Sequence, residues 1–242
     1  MGVGGTFGNL SIVRQFMRGI YNVNPPKPRY SGVWDPQIVL DFLVKWSPAR
    51  KISIKKLTLK TVMLILLVTG QRGQIIKALN TDAMEVSSSR FVFYISNKDL
   101  KQGRPGYRPE PIKLRAFPGD KRLCVHRYLV VYLERTLENR GKEKSVFLTF
   151  SKPYRAATRD TVSRWVKTVL KLAGIDITKY GPGSTRAAAV SKAEQQGAPV
   201  DDILKAGGWT RQSTFQKFYK KTVVKEQGID EYVLRKGKKR EN

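Results

Sequence analysis

Apolar residues recur at helical spacing over residues 9–21 (NLSIVRQFMRGIY), which predicts an amphipathic helix. The next stretch, NPPKPRYSG, carries three prolines and breaks regular structure, so it reads as a linker. Asp35 followed by Pro36 pairs a good N-cap with the one helical position where proline is favoured. A short amphipathic helix through about Trp46 is expected from it. From Lys55 to Val68 the chain is apolar nearly all round, interrupted by Lys60 and stopped at Gly70, the pattern of a helix buried at the centre of a domain.

The pattern then changes. RFVFYIS (90–96) is aromatic and branched, and PIKLRAF (111–117) alternates apolar with polar, so the two predict a β-hairpin. Its connection, KDLKQGRPGYRPE, is basic and rich in Gly and Pro, as an exposed loop would be. Residues 121–139 predict a long amphipathic helix ending near Gly141, and Val146 to Phe150 a short strand or extended segment. Further helices are expected from Asp160 to Ala173, capped by Thr158 or Asp160 and closed by Gly174, at 185–196, at 200–206 and at 213–220. The ending RKGKKREN has no apolar pattern and reads as a basic tail. The fold class expected is α+β, mostly helical with a small antiparallel sheet.

Charge narrows the function. Of 242 residues, 46 are Lys or Arg and 19 Asp or Glu, a net charge of +27, and the basic residues recur in every quarter of the chain. A folded surface of that charge calls for a polyanionic partner and favours nucleic acid over a membrane patch. The single cysteine, Cys124, and single histidine, His126, exclude a disulfide framework, a Cys-rich zinc site and paired-histidine metal chemistry. Cys124 is expected to face the core and His126 to sit on a helix surface. The Leu57–Val68 run is far shorter than the roughly 20 residues a bilayer span needs. No membrane partner is expected, and the N-terminal segment lacks the charge pattern of a secretory signal.

The acidic residues are few and scattered, so phosphate chemistry here has to draw its positive charge from side chains, with no metal and no cofactor. Arginine suits that task because its fork holds two phosphate oxygens and stays charged as negative charge develops. Arg72 lies in TGQRGQ, where Gly70 and Gly73 allow a sharp turn, and Arg186 lies in GPGSTRAAA, at the start of a small-residue helix. Either one alone reads more readily as a solvated surface charge. Likewise, Trp209 and Phe215 fit core aromatics, and Tyr219 fits packing beside Phe218.

Taken in order, TGQRGQ, DLKQGRPG, GSTRAAAVSKAEQQG and ILKAGGWTRQSTFQKFY resemble the tyrosine recombinases, the phage-integrase-like family of DNA strand exchangers. Around PPKPRY, TGQRGQ, LKQGRPG and GWTRQSTFQKFY the sequence is similar to the recombinases of DIRS and Ngaro-type retrotransposons, and the resemblance covers about residues 10–225. It implies that Arg72 and Arg186 clamp a scissile phosphate and that Lys101 on the hairpin loop protonates the leaving 5′ oxygen, with Lys98 as a competitor. Trp209 stands where the family has His or Trp donating to a non-bridging oxygen, and Tyr219 is the implied nucleophile. The family usually has histidine three residues before the second arginine; here that residue is Gly183, which supplies no proton acceptor.

By the same resemblance, residues 1–34 form an N-terminal helix and Pro-rich linker in place of a truncated or absent core-binding domain, 35–225 the catalytic domain and 226–242 a basic tail. The implied partners are double-stranded DNA and further copies of the chain on it, dimer or tetramer, and the implied location is the nucleus. Two readings follow: a recombinase of a mobile element working through a 3′-phosphotyrosine intermediate, or a decayed or domesticated descendant that binds DNA without efficient cleavage. A basic RNA-binding or ribosome-associated protein would explain the charge but not the ordered motifs.

Overall fold

The computed structural model describes residues 10–25, 27–97, 109–209 and 212–224. Helix α3 (Ile54–Thr69) runs through the middle of the domain. Ser53 caps it by accepting the Lys56 N–H, and Gly70 closes it in the left-handed region at φ 59°. Its residues from Leu57 to Leu66 are all buried, because α5 (Val125–Arg140), α6 (Arg159–Leu172) and α7 (Ser184–Gln195) pack around it. An all-round apolar helix finds such a position because any exposed face would forfeit roughly 25 cal/mol for each Å² of apolar area left in water.

Lys60, the lone charge in that run, is fully buried. Its ammonium donates to the carbonyls of Leu43 (2.7 Å) and Trp46 (2.9 Å), and the Ser47 hydroxyl (3.2 Å) and Tyr128 hydroxyl (2.8 Å) lie within reach. Burial pushes this amine down to about 7, with Asp120 pulling the other way. The oxygens supply the partners that a buried ammonium requires. They also tie α3 to the end of α2 (Pro36–Val44), whose N-cap Asp35 accepts the Gln37 N–H as the Asp-Pro pair predicts.

A 3-10 turn (Thr81–Ala83) leads from α4 (Gln74–Ala78) into a three-stranded antiparallel sheet of β2 (Met84–Val86), β3 (Arg90–Phe93) and β4 (Ile112–Arg115). Phe91 faces Leu114 and Phe93 faces Ile112, so the apolar positions of the two predicted hairpin strands meet on the buried side. Strand β2 extends the hairpin beyond the sequence expectation. Val146–Phe150 forms no strand: Ser145 just before it makes an isolated bridge with Asn80, and Leu148 within it one with Ala156. Helix α6 is capped by Thr158 as expected. Cys124 is buried at the start of α5, and His126 is half-buried on that helix, at hydrogen-bond distance (3.0 Å) from the Ser87 carbonyl.

One structural expectation needs correcting. The Pro-rich stretch does not run on as linker to Asp35: Gly32–Trp34 forms a strand, β1, paired in parallel with β5 (Thr222–Val224) from the far end of the chain. Helix α1 (Ser11–Val23) forms as its periodicity predicts, yet Ile12, Phe16, Met17 and Val23 are each more than half exposed and none of its residues is buried. Among the described residues no helix is long and apolar enough to cross a membrane. The expected hairpin connection, with Lys98 and Lys101, and the 226–242 tail lie outside the described residues.

Candidate active site

Helix α7 begins GSTRAAAV, and its small residues let it lie close against its neighbours. Gly70 of α3 marks the tightest approach: its φ is positive, and a β-carbon there would stand 2.7 Å from Val190 Cγ1, so glycine is required twice over. This packing sinks Arg186, which is 3% exposed. One guanidinium nitrogen, Nη2, donates to the Gly207 carbonyl at 2.7 Å, while Nε and Nη1 are buried without a partner. Among the described residues no carboxylate forms an ion pair with it.

Such a group is costly, and the cost shows in its acidity. Burial first, then repulsion from the nearby Arg72, pushes the Arg186 guanidinium down to about 9, with Tyr219 acting in the opposite sense. An anion placed between the two arginines would relieve both penalties and occupy the free N–H groups. Buried polar groups without partners are rare in folded proteins. Trp209 Nε1 and Thr185 Oγ1 are also buried and unpartnered.

Arg72 lies in the short turn between α3 and α4. After Gly70 turns the chain, Gln71 Nε2 donates to the Ala206 carbonyl on α8 (Val200–Gly207), and the Arg72 carbonyl accepts the Ile75 N–H at the start of α4. The side chain is half-buried. Gly70 makes the turn in the left-handed region, whereas Gly73 has right-handed helical dihedrals (φ −55°, ψ −24°) that any residue adopts, and the Arg72 charge lies near enough to Arg186 to repel it.

The aromatic members come from the ends of two short helices. Helix α8 ends at Gly207, where a β-carbon would fall 1.9 Å from the Trp209 ring, so the indole lies flat on the backbone of the helix end. The Arg186 guanidinium stacks on that indole, with its carbon 3.7 Å from the ring centroid. Helix α9 (Gln212–Phe218) then delivers Tyr219, whose ring is 4.7 Å from Trp209 and 5.0 Å from the Arg186 carbon. Phe215 backs Trp209 at 5.5 Å. Trp209 and Phe215 are core aromatics, as their bland reading had it, and Trp209 is also part of the cluster around the buried arginine.

Arg72, Arg186, Trp209 and Tyr219 are thus brought together, from four separate segments; Lys101 lies outside the described residues. Gly183 sits one turn before Arg186 with right-handed helical dihedrals (φ −67°, ψ −18°), and a β-carbon on it would meet nothing within 4 Å. His126 is elsewhere, on α5 against Phe91. Ser191 and Glu194 of α7, which contact residues after α9, gave no sign in the sequence. Their neighbours identify them only once the helices are folded.

Solved structures share this fold at low identity. The XerH site-specific recombinase bound to palindromic difH substrate, in a post-cleavage complex, is 15% identical over 76% of this chain and 48% of its own, with a TM-score of 0.56. XerA recombinase is 18% identical over 83% of this chain and 62% of its own, at 0.55. Residues 75–356 of lambda integrase, a dimer bound to a COC′ core site, are 15% identical over 90% of this chain and 74% of their own, at 0.50. The chain spans about half of XerH and three fifths of XerA. No curated protein matches it. The phage integrase family profile matches residues 43–225, which takes in α3, both arginines, Trp209 and Tyr219, and the chain therefore belongs to the phage integrase family.

Proposed function

We propose that this chain is a tyrosine recombinase that cleaves and rejoins DNA strands through a 3′-phosphotyrosine intermediate, in the service of a DIRS- or Ngaro-like mobile element. The observation that carries the reading is the buried Arg186, with two unpartnered guanidinium nitrogens, against the ring of Tyr219. A phosphodiester supplies what that site lacks: an anion with several acceptor oxygens and a phosphorus within reach of a phenol.

In this mechanism the Tyr219 oxygen attacks the scissile phosphorus, the bond to the 5′ oxygen breaks, and phosphate remains ester-linked to the enzyme on its 3′ side. Arg72 and Arg186 hold the non-bridging oxygens as charge builds. Trp209 Nε1 adds a neutral donor, and Lys101 gives its proton to the leaving 5′ oxygen. The two guanidinium groups beside the reacting oxygens stabilise the charge that builds as the phenol oxygen attacks, and the phenol proton is lost to solvent. Reattack by a 5′ hydroxyl regenerates Tyr219, so the bond energy is conserved. Duplex DNA and a homo-oligomer assembled on it are the partners, and the nucleus is the proposed site of action.

A second reading has a specific observation behind it. Gly183 leaves open space where the family usually carries a histidine, so this chain is a slow enzyme or a descendant that keeps DNA binding alone. Incubation with a nicked suicide duplex separates the two. A protein–DNA adduct resistant to denaturing electrophoresis is the result expected of the recombinase; binding without adduct at any enzyme concentration is the result expected of the descendant.

Both readings share an electrostatic prediction. With a net charge of +27 the chain should release many counterions on binding duplex DNA. For about 6–10 phosphate contacts, affinity falls by about 10³ to 10⁵ between 50 and 200 mM salt. Fluorescence anisotropy across that range checks it, and a flat response would remove the phosphate backbone as the main partner.

A further inference from the structure

Helix α7 holds more than Arg186. Five residues on, Ser191 is fully buried, and its hydroxyl stands between two backbone groups of the segment after α9: it donates to the Tyr219 carbonyl at 2.8 Å and accepts the Lys221 N–H at 3.0 Å. One turn further along the same helix, Glu194 pairs with Lys220 at 2.6 Å. Three consecutive residues, Tyr219 to Lys221, are therefore gripped by two side chains of the helix that carries the buried arginine.

The ring of Tyr219 packs on Trp209 and the Arg186 guanidinium, but the other restraints on its backbone are local or lie beyond it. Its own N–H and that of Lys220 both bond the Phe215 carbonyl, which fixes the end of α9 but not where that end stands relative to α7. Strand β5 pairs with β1, but only from Thr222 onward. Among the described residues, Ser191 makes the only hydrogen bond between α7 and the backbone of Tyr219 itself. A hydroxyl is suited to this because it donates and accepts at once, so one atom satisfies both a carbonyl and an amide.

We infer that Ser191 is a positioning residue that sets the distance between the phenol of Tyr219 and the guanidinium of Arg186. The inference rests on the recombinase reading for its consequence, since the clasp matters to rate only if Tyr219 attacks. Removing the hydroxyl leaves the Tyr219 carbonyl and the Lys221 amide without that partner, so the segment shifts relative to α7 while the arginines and their hold on DNA stay in place. Misplacement of a reacting group by about 1 Å costs on the order of 10²-fold in rate.

The test compares the parent chain with Ser191→Ala and Ser191→Thr in three measurements: rate of adduct formation on the suicide duplex, affinity for the same duplex, and amide hydrogen exchange. Ser191→Ala should slow adduct formation by about 10- to 100-fold, leave affinity within twofold, and speed exchange at Lys221 while amides within α7 keep their protection. Ser191→Thr, which keeps the hydroxyl, should recover most of the rate. Should the alanine variant fail to fold, as a lost thermal transition would show, Ser191→Cys takes its place, keeping a side chain of similar shape with a weaker donor and acceptor. Unchanged adduct rate, or unchanged exchange at Lys221, overturns the positioning role. A parent chain that binds DNA and forms no adduct instead overturns the recombinase reading and takes the effect of Ser191 on rate with it.

Discussion

Tyr219→Phe should abolish the covalent protein–DNA adduct expected of the recombinase and leave duplex affinity nearly unchanged. The substitution removes one oxygen from a ring whose packing is set by other atoms: the contacts with Trp209 at 4.7 Å and with the Arg186 carbon at 5.0 Å involve the ring itself, and the anchoring at Ser191 is to the backbone. The basic surface that holds phosphates is untouched. What disappears is the only atom at that position able to form the phosphoester, and the arginine clamp has nothing to replace it. Arg186→Ala should suppress the adduct as well, by about 10² to 10³, through loss of transition-state charge stabilisation. That variant is the less clean of the two, because it also removes the partner of the Gly207 carbonyl and the stacking partner of Trp209. Denaturing electrophoresis of labelled suicide duplex checks both. An adduct of undiminished yield from Tyr219→Phe would place the nucleophile on another residue and dissolve the proposed geometry.

The difference between those two variants mirrors what was legible in the sequence. Local signals gave the helices: Asp35-Pro36 opens α2, Thr158 opens α6, and the all-round apolar run around Lys60 is indeed the central helix. Alternation in PIKLRAF gave β4 and its buried side. The β1–β5 pair was invisible because each strand is three residues long, too short for a period, and the partners lie at opposite ends of the chain. Its pairing is decided by where α2 and α9 place the strands, not by any preference of Gly-Val-Trp.

In the site, Arg72 announced itself through its flanking glycines, whereas Arg186 was one of 46 basic residues and its burial depends on how closely Gly70 lets α3 approach α7. Trp209 and Tyr219 stood out only through resemblance to a family, since an aromatic in a short helix is usually core. The fold adds that both are core and both touch the buried guanidinium. Ser191 carried no signal at all, because a serine in a small-residue helix has nothing in its neighbours to mark which backbone it will meet.

Gly183→His should raise the rate of adduct formation by something approaching the 10² to 10⁴ that a positioned proton carrier contributes. The fold makes room for this change in two respects. Glycine at 183 is in the right-handed helical region, which every L residue adopts, and its β-carbon direction is open, so neither backbone strain nor collision opposes the substitution. Because those dihedrals carry the geometry of α7 back by one residue, positions 183 and 186 stand three apart on the same side of the helix, with β-carbons about 5–6 Å from each other. An imidazole there is beside the guanidinium that faces Tyr219, close enough to exchange a proton with a phenol or with a phosphate oxygen. Gly183→Ala is the control, since it adds the β-carbon and no chemistry, and it should leave the rate where the parent has it. Rates are read on the suicide duplex, with circular dichroism to confirm that all three chains share one fold. A gain from histidine alone would mean that the remaining cluster is intact and that a missing proton carrier limits the enzyme. An equal rate in all three would mean that the proton step does not limit cleavage, or that the cluster around Arg186 serves binding and no longer cuts; Tyr219→Phe then distinguishes these, because only a cutting enzyme has an adduct to lose.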